Sequence, residues 1–353
     1  MATEQAAKRL KTNGSTEGPL IGTHNGHFHA DEALAVYLLR LLPTYNPSSL
    51  VRTRDPALLS KCHTVVDVGG EYEPAGNRYD HHQRTFDTTF PSRPTKLSSA
   101  GLVYMHFGKP IIALRTGLPE KSAEVDTLWN KLYQDFIEAL DAHDNGISAY
   151  NPADTKGLQK RFNDSGINLG SLVGDLNDPF EEDEKPSSPE EVQVAEDKRF
   201  LNASKLMGTS FLRKLNYYAN AWLPARTLVR ETYAARFEND AKGRVMVFPQ
   251  GCPWKDHLYT LEDVEGTHGQ LLYVLYPEGQ HEGSKWRVQA VSVSKDSFES
   301  RKPLPEAWRG LRDEELSSKS GIDGCIFVHA SGFIGGNTSK AGALAMVTKA
   351  IDM

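Results

Sequence analysis

Histidine and acidic side chains are concentrated in the first quarter of this 353-residue chain. Six of its twelve histidines lie within the first 82 residues, and five of those six fall in two short clusters, at residues 24–32 and 80–82. Both clusters also carry carboxylates, and the apolar run between them contains Asp67. Imidazole and carboxylate ligands together suit a divalent transition metal, and several carboxylates suit more than one ion. The pattern predicts a two-metal centre that hydrolyses a phosphate ester.

The first cluster follows a predicted buried strand at residues 20–23 and precedes a predicted helix. In open α/β sheets, ligands bind at the carboxyl ends of the strands. His27, His29 and Asp31 alternate along the chain, so in an extended loop their side chains point the same way. Together with His24 just upstream, they offer a metal several ligands from one loop. This favours a metal-binding loop over a merely polar surface loop.

Asp67 and the sequence Asp80-His81-His82 extend the predicted centre. Asp67 ends a predicted buried strand, where one carboxylate can bridge two metals about 3.5–4 Å apart. Adjacent histidines in an extended chain point in different directions. One can therefore ligate metal while the other contacts substrate phosphate or acts as a general acid. Asp80 can fix the tautomer of a ligating imidazole.

Asp141 and Asp144 lie at the end of a long predicted helix. Because they are three positions apart, they share a helix face, and either carboxylate could complete the metal site. His143 between them is expected to face elsewhere. The residues alone leave the choice between Asp141 and Asp144 open.

A glycine-rich segment near the C-terminus is a candidate for substrate binding. It is predicted to be a turn between a strand at residues 324–329 and the final helix. Glycines let backbone N–H groups approach an anion, and a helix N-terminus favours negative charge, with Asn337 or Thr338 as its cap. The predicted substrate-binding residues here are His329, Gly335, Gly336, Asn337 and Lys340.

A second loop, Cys252-Pro-Trp-Lys-Asp-His257, combines an aromatic and a basic side chain. Lys255 is predicted to contact a substrate phosphate. Trp254 could stack on a base, but a structural role in the core is an equally good interpretation.

Short apolar runs alternate with helical patterns from residue 19 to about 174. Strands are predicted at 20–23, 49–53 and 64–68, and helices at 32–42, 98–107 and 125–142. This order predicts an α/β fold with a largely parallel sheet. Farther on, a helix is predicted at 200–222, strands at 245–248, 271–276, 286–293 and 324–329, and a last helix ending near 351.

The length of the chain predicts two domains. We divide it into a disordered tail (1–18), a metal-binding catalytic domain (19–200) with an acidic, proline-containing surface insertion or linker near 178–197, a connecting helix (201–223) and a smaller α/β substrate-binding domain (224–353).

The composition is that of an ordinary globular protein, with 39% hydrophobic and 24% charged residues. No apolar run approaches the roughly 20 residues of a membrane helix, so no membrane partner is expected. Three widely spaced cysteines predict a reducing, intracellular compartment rather than a disulfide framework. The net charge of −6 argues against a general nucleic-acid coat protein but not against a nucleic-acid enzyme.

Five sequence motifs resemble those of one family: HNGHFHADE, YDHHQ, LSSAGLVY, DNGI and CPWK. Their sequences are similar to those of the melanocyte proliferating gene 1 exonuclease family, within the DHH phosphoesterase superfamily. The similarity runs from about residue 20 to the C-terminus. The resemblance implies a DHH-type α/β domain and a smaller C-terminal domain, with the active site in the cleft between them. It also implies two Mn²⁺ or Mg²⁺ ions.

By motif position, the resemblance assigns the metal ligands to His29, Asp31, Asp67, His81 and Asp144. It makes His82 the catalytic or phosphate-contacting histidine. The superfamily spacing His-x-x-x-Asp-x-Asp would place Asn25 and His29 at its first two positions. His24 or His27 must therefore supply the missing ligand, and the sequence does not choose between them. Imidazole in place of carboxylate lowers the charge of the site and should favour Mn²⁺ over Mg²⁺.

The resemblance implies a 3′-to-5′ exonuclease acting on RNA in the nucleus, the mitochondrion or both, with the cytoplasm as a further possibility. Two alternatives are a small-molecule phosphatase or pyrophosphatase and a non-catalytic metal- or RNA-binding regulatory protein. The residues themselves do not determine cleavage polarity, the choice of RNA over DNA, or the oligomeric state.

Overall fold

The computed structural model describes residues 18–179 and 186–353. Apart from Gly18, the predicted tail lies outside these residues, as does part of the acidic stretch. The chain divides into two compact units, one ending at Tyr217 and the other spanning Tyr218–Met353. This division lies inside the segment 201–223, for which a connecting helix is predicted.

The first unit contains a five-stranded sheet of short strands. The strands are β1 (Ile21–Thr23), β2 (Leu50–Arg52), β3 (Thr64–Val66), β4 (Tyr72–Glu73) and β5 (Arg78–Tyr79), in the order β2-β1-β3-β5-β4. All neighbouring pairs are parallel except β4 with β5, which is antiparallel at one edge. The largely parallel α/β sheet predicted for this part of the chain is confirmed.

The helices of the first unit are α1 (Ala30–Arg40), α2 (Pro56–Leu59), α3 (Ser99–Thr116), α4 (Ala123–Leu132), α5 (Glu138–Asp144), α6 (Leu169–Asp175) and α7 (Pro189–Tyr217). A π-helical turn, Tyr133–Ile137, joins α4 to α5, so the helix predicted at 125–142 is interrupted. Helix α3 continues through Pro110 and is longer than predicted. No helix of the described residues is long and apolar enough to span a membrane.

Helix α1 lies at the centre of this unit. It packs against α3 and α7, and nearly all of its side chains are buried because it is apolar on several faces. Gly208 of α7 lies against the ring of Tyr37, where a Cβ atom would come within 2.0 Å of the ring. Glycine therefore lets α7 pack closely on α1, which begins directly after the first histidine cluster.

The second unit contains another five-stranded sheet, in the order β6-β7-β8-β10-β9. Its strands are β6 (Val245–Val247), β7 (Tyr273–Pro277), β8 (Trp286–Ala290), β9 (Cys325–Val328) and β10 (Ile334–Asn337). Only β6 and β7 are parallel. The helices are α8 (Leu223–Ala234), α9 (Lys255–Glu265), α10 (Asp313–Ser320) and α11 (Lys340–Asp352). A smaller α/β C-terminal unit is thus confirmed.

One prediction about local structure is wrong and another is refined. The segment Gly335–Asn337 is not a turn but part of β10, because its backbone pairs with β8 on one side and β9 on the other. The second concerns the surface insertion or linker predicted near 178–197, whose last residues are helical because α7 begins at Pro189. Proline is well accommodated in the first turn of a helix, where its missing N–H costs no hydrogen bond.

Candidate metal centre

Three neighbouring strands of the first sheet deliver the candidate residues to one edge. The first histidine cluster follows β1, Asp67 follows β3, and His81 follows β5. Because these strands are adjacent and parallel, their carboxyl ends meet, which is where ligands bind in open α/β sheets. Asp144 joins them from the last turn of α5.

One group of metal-binding atoms combines His24, His29, Glu32 and Asp67. One donor atom from each lies within 4.8 Å of the others. The Nε2 atom of buried His24 is 3.1 Å from Oε1 of Glu32 and 3.3 Å from Oδ2 of Asp67. Two carboxylates and two imidazoles in such proximity form a set that a divalent transition metal prefers.

Two further groups share residues with the first. Asp67 lies in the second group with His81 and His82, and His29 lies in the third with Asp31 and Asp144. The Nε2 atom of His81 is 3.3 Å from Oδ1 of Asp67 and 2.9 Å from Oδ2 of Asp144. Asp67 therefore presents its two oxygens to different histidines, as a carboxylate between two cations would.

The backbone aims Asp67 into this cluster. Its φ of +56° is left-handed, a conformation that aspartate adopts more readily than most residues other than glycine. Strand β3 consequently ends at Val66, one residue before Asp67, and the carboxylate turns toward the histidines. Ser99, at the first position of α3, donates its hydroxyl to Oδ1 of Asp67 at 3.1 Å and helps to hold it there.

Burial and charge perturb the titration of these groups. Burial lowers the pKa of His24, but its contacts with Asp67 and Glu32 outweigh this and raise the pKa to about 10. The pKa of His81 is raised to about 10 in the same way by Asp144 and Asp67. Despite burial, the two histidines hold the pKa of Asp67 below its ordinary value. The carboxylates therefore attract positive charge, which a proton or a metal ion can supply.

Asp31 gives the most direct test of whether a metal fits. Its side chain is 1% exposed, and neither carboxylate oxygen has a hydrogen-bond partner among the described residues. Burial and the nearby charges of Asp67 and Asp144 raise its pKa well above the ordinary value. A buried carboxylate without partners is costly unless a cation compensates it. The donors around Asp31 thus fit a bound divalent metal.

Asp80 organises the second histidine cluster. Its carboxylate accepts hydrogen bonds from the backbone N–H groups of Gly70 at 2.6 Å and His81 at 2.7 Å. Its Oδ1 atom is also 2.7 Å from Nδ1 of His82. The contact with Asp80 raises the pKa of His82, whose side chain is 61% exposed. Asp80 therefore orients a partly solvent-exposed imidazole that favours the protonated form.

A cavity of about 300 Å³ opens onto these residues. Asp31, Asp67, His82 and Asp144 all contribute to its walls. Gly170, at the start of α6, also lines the cavity, and the donors are accessible to a small group that enters it.

Comparison with known proteins places the chain in a family. The MYG1_exonuc family model, described as "Uncharacterised protein family (UPF0160)", matches residues 20–351. A mouse protein named MYG1 exonuclease is 47% identical over 347 residues, which are 96% of this chain and 86% of the mouse chain. The human MYG1 exonuclease is 47% identical over 335 residues, 93% and 84% of the two chains. This chain belongs to the MYG1 family.

The resemblance predicted from the sequence motifs is therefore confirmed at the level of the MYG1 family. A MYG1 protein of Saccharomyces cerevisiae is 43% identical over 336 residues, 95% of this chain and 96% of the yeast chain. Among solved structures, exonuclease RecJ bound to manganese is similar at 14% identity and a TM-score of 0.24, over 98% of this chain and 92% of RecJ. A likeness that weak supports no argument about this chain.

Within this MYG1 chain, the structure separates His24 from His27. His24 is buried among the carboxylates, whereas His27 is exposed and lies outside all three donor groups of the described residues. The expected alternation of His27, His29 and Asp31 is wrong because α1 already begins at Ala30. Asp31 is thus helical and buried, and His27 is an exposed residue of the cavity wall beside the ring of His29.

The structure also separates Asp141 from Asp144. Asp141 is fully buried and accepts hydrogen bonds from the Ser98 N–H at 3.0 Å, the Ser98 hydroxyl at 2.8 Å and the Tyr133 hydroxyl at 2.8 Å. It lies against Gly101, where a Cβ atom would come within 2.4 Å of its oxygens. Of the two, only Asp144 is in a donor group of the described residues, so the geometry favours Asp144 and gives Asp141 a structural role.

Several of the predicted substrate-binding residues in the second unit are paired within the sheet or buried in the core. Gly335 and Gly336 cannot offer free N–H groups as a turn would, since both pair within the sheet. Asn337 is buried and donates to the carbonyl of Asp323, and Ser339, not Asn337 or Thr338, caps α11. Trp254 is 5% exposed and belongs to the core, so it does not offer a free stacking face.

Three other residues of that set are accessible. Lys255 is half-buried at the start of α9, and Lys340 is exposed at the start of α11 with its ammonium 5.8 Å from the Trp286 ring centre. His329 is exposed, and its Nδ1 atom lies 2.9 Å from the Ser331 hydroxyl. A substrate-binding role for them stays a prediction.

Glu32 is a candidate ligand that the sequence analysis did not assign. It is fully buried, and its carboxylate also accepts the His29 N–H, at 2.9 and 3.1 Å from its two oxygens. A glutamate three residues after a helix cap is the spacing of a capping box, which could have placed Glu32 beside the loop. Its additional approach to His24 depends on the fold.

Proposed function

We propose that this protein is a metal-dependent exonuclease that degrades RNA from the 3′ end. The observation that carries the proposal is the set of three overlapping donor groups, in which Asp67 and His29 are each shared. Overlap of this kind suits two adjacent divalent ions, the arrangement found in phosphatases and nucleases. The exonuclease names of the mammalian relatives support the reaction class.

The proposed ions are two Mn²⁺, with Mg²⁺ as the alternative. His24, Glu32 and Asp67 would hold one ion and Asp31 and Asp144 the other, with His29 and Asp67 each common to two donor groups. His81 would be a further ligand, because its Nε2 atom is 2.9 Å from Oδ2 of Asp144 and 3.3 Å from Oδ1 of Asp67. When bound, such ions polarise the phosphate and lower the pKa of water, which makes hydrolysis possible at neutral pH. The mixed histidine and carboxylate donors favour Mn²⁺.

His82 is the proposed proton donor. Asp80 holds its Nδ1 atom at 2.7 Å, so the imidazole is oriented and its charged form is stabilised. The side chain lines the cavity and is mostly exposed, so its other nitrogen can reach a phosphate ester there. Donation of a proton to the leaving 3′ oxygen would neutralise the charge that develops as the P–O bond breaks.

His82 lies in a donor group with Asp67 and His81, but the proposal makes it a proton donor and not a ligand. Replacing His82 with asparagine should therefore lower kcat by about 10²- to 10⁴-fold and change Mn²⁺ affinity by less than about threefold. Single-turnover RNA degradation and Mn²⁺ titration measure the two quantities. His268→Asn is a matched control, because that imidazole is 64% exposed and also lies beside an aspartate. A kcat within threefold of wild type would exclude His82 as the proton donor.

A panel of end-labelled substrates tests the function itself. With Mn²⁺, a 5′-labelled single-stranded RNA should shorten progressively, and EDTA should stop the reaction. A 5′-labelled product of one nucleotide at the earliest times would instead indicate attack from the 5′ end. Preferential hydrolysis of pyrophosphate or dinucleotides, with long RNA intact, would favour the small-molecule phosphatase. Mn²⁺-dependent retention of RNA without any product would favour a regulatory binding protein.

Nuclear or mitochondrial location stays a prediction from the family resemblance. Fractionation of cells that express the tagged full chain would test it.

A further inference from the structure

The backbone of residues 24–28 depends on side chains from distant parts of the chain. Five polar groups of this loop are bound by such side chains: His24 O, Gly26 N, Gly26 O, Phe28 N and Phe28 O. A loop has no regular ladder to satisfy its N–H and C=O groups, so these contacts decide which conformation it keeps. The loop begins with the proposed ligand His24, and the proposed ligand His29 directly follows its last residue.

Asn177 binds the loop as a neighbouring strand would. Its Oδ1 atom accepts the Phe28 N–H at 2.9 Å, and its Nδ2 atom donates to the Phe28 carbonyl at 2.9 Å. The same Nδ2 lies 3.3 Å from the carbonyl of Gly174, in the last turn of α6. Asn177 therefore fixes Phe28, the residue directly before His29, to the end of α6.

Arg52 binds the other half of the loop from the last residue of β2. Its guanidinium donates to the His24 carbonyl at 3.2 Å and to the Gly26 carbonyl at 2.6 Å. The side chain is fully buried, and the guanidinium carbon lies 5.4 Å from the ring centre of Phe28 and 4.8 Å from that of Phe200. A planar fork of this kind can hold two carbonyls at once, which an ammonium group cannot do equally well.

Helix α7 completes these contacts with one face. Four side chains at the spacing of a helical stripe contact the loop or Arg52: Gln193, Glu196, Asp197 and Phe200. Glu196 accepts the Gly26 N–H at 3.3 Å, and Asp197 lies 3.4 Å from Arg52. This part of the acidic stretch is thus packed against the loop.

We propose that Asn177 and Arg52 are positioning residues of the metal centre, which set its metal affinity by holding the loop 24–28 in its ligating conformation. The inference rests on the metal centre of the proposed function. Neither residue belongs to a donor group, so both would act only through His24 and His29. Groups that orient metal ligands commonly change metal affinity by about 10- to 100-fold when they are removed.

The first test compares Mn²⁺ binding by calorimetry in Asn177→Ala and Asn130→Ala. Asn130 is an exposed asparagine of the same unit whose side chain donates to the Asp126 carbonyl. Loss of Asn177 should weaken Mn²⁺ binding by about 10- to 100-fold with unchanged stoichiometry, and loss of Asn130 should not. If Asn177→Ala does not fold, Asn177→Asp decides, since it is isosteric but cannot donate to the Phe28 carbonyl.

The second test compares Arg52→Lys with Arg78→Lys. Arg78 also donates to loop carbonyls, those of Cys62 and His63, but away from the donor groups. Arg52→Lys should weaken Mn²⁺ binding by about 10-fold, whereas Arg78→Lys should keep wild-type affinity even if the melting temperature falls.

Mn²⁺ affinities within twofold of wild type in folded Asn177 and Arg52 variants would overturn the inference, whatever their melting temperatures. Equal losses in the control variants would also overturn it, because they would indicate a general effect on folding. Wild-type protein that binds Mn²⁺ but degrades no RNA would contradict the proposed function alone. Wild-type protein that binds no Mn²⁺ would overturn both.

Discussion

Replacing Asp67 with asparagine should lower metal-dependent RNA degradation by at least about a thousandfold, which corresponds to about 4 kcal/mol. Asp67 is the carboxylate common to two donor groups, and its two oxygens face His24 and His81. Asparagine keeps the shape but removes the charge and one of the two anionic oxygens. This one substitution should therefore weaken the binding of both proposed ions.

Thermal unfolding provides a readout of Asp67 that is independent of activity. A ligand at 100 times its Kd stabilises the folded state by about 2.7 kcal/mol. Mn²⁺ should accordingly raise the melting temperature of the wild type and have little effect on Asp67→Asn. Asp126→Asn is the control, because Asp126 is 52% exposed and pairs with Lys109 at the surface. Full activity of Asp67→Asn in saturating Mn²⁺ would exclude Asp67 as a ligand.

The pair Asp141 and Asp144 should give opposite results although they lie three residues apart. Asp144→Asn should lower activity by at least about a hundredfold, about 2.7 kcal/mol, because it removes charge from the group with His29 and Asp31. Asp141→Asn should leave activity and Mn²⁺ affinity within threefold of wild type. Its carboxylate contacts Ser98 and Tyr133 instead of the donor groups.

Stability should respond to Asp141 in a pH-dependent way. Burial raises the pKa of Asp141 from 3.8 to about 7, although Ser98 and Tyr133 oppose this. Between pH 3.8 and about pH 7, the folded state retains a proton that the unfolded state releases. The contribution of Asp141 to the free energy of unfolding therefore falls as the pH rises from 3.8 to about 7. In Asp141→Asn, the free energy of unfolding should lack this part of the pH dependence, because the side chain is neutral at every pH.

Denaturant unfolding of wild type, Asp141→Asn and Asp144→Asn between pH 4 and pH 8 measures this difference, with Asp144→Asn as the matched variant. Asp141→Ala should lower the free energy of unfolding by about 1–3 kcal/mol, since it leaves the buried Ser98 N–H without its acceptor. Loss of Mn²⁺ binding in Asp141→Asn, with binding kept in Asp144→Asn, would reverse the assignment.

Much of the first sheet could be predicted because its determinants are local. A buried strand reads as a short apolar run, and the alternation of such runs with helical patterns implies parallel strands. The same local reasoning failed at Gly335–Asn337. Glycines there serve close packing in β10, where a Cβ on Gly336 would come within 2.9 Å of the Arg287 guanidinium. Glycine in a strand and glycine in a turn look alike in sequence.

The choice between equivalent candidates could not be made from sequence. His24 and His27 have the same chemistry, and the difference between them comes from where α1 begins and from what covers the loop. The contact of Asn177 with Phe28 joins residues 149 positions apart, and no local pattern marks it. Long-range contacts of this kind depend on how helices and strands pack, and single-sequence periodicity carries no information about that.

By itself, the sequence determined which types of ligand are present, their order, and their association with strand ends. Side-chain chemistry and local periodicity are properties of short segments. Only the tertiary structure decided that His24 and Glu32 approach Asp67, that Asp144 approaches His29 and Asp31, and that His27 and Asp141 join none of these groups of the described residues. The physical reason is that a donor group is defined by distances of a few ångströms. Those distances are set by packing between segments that lie far apart in the chain.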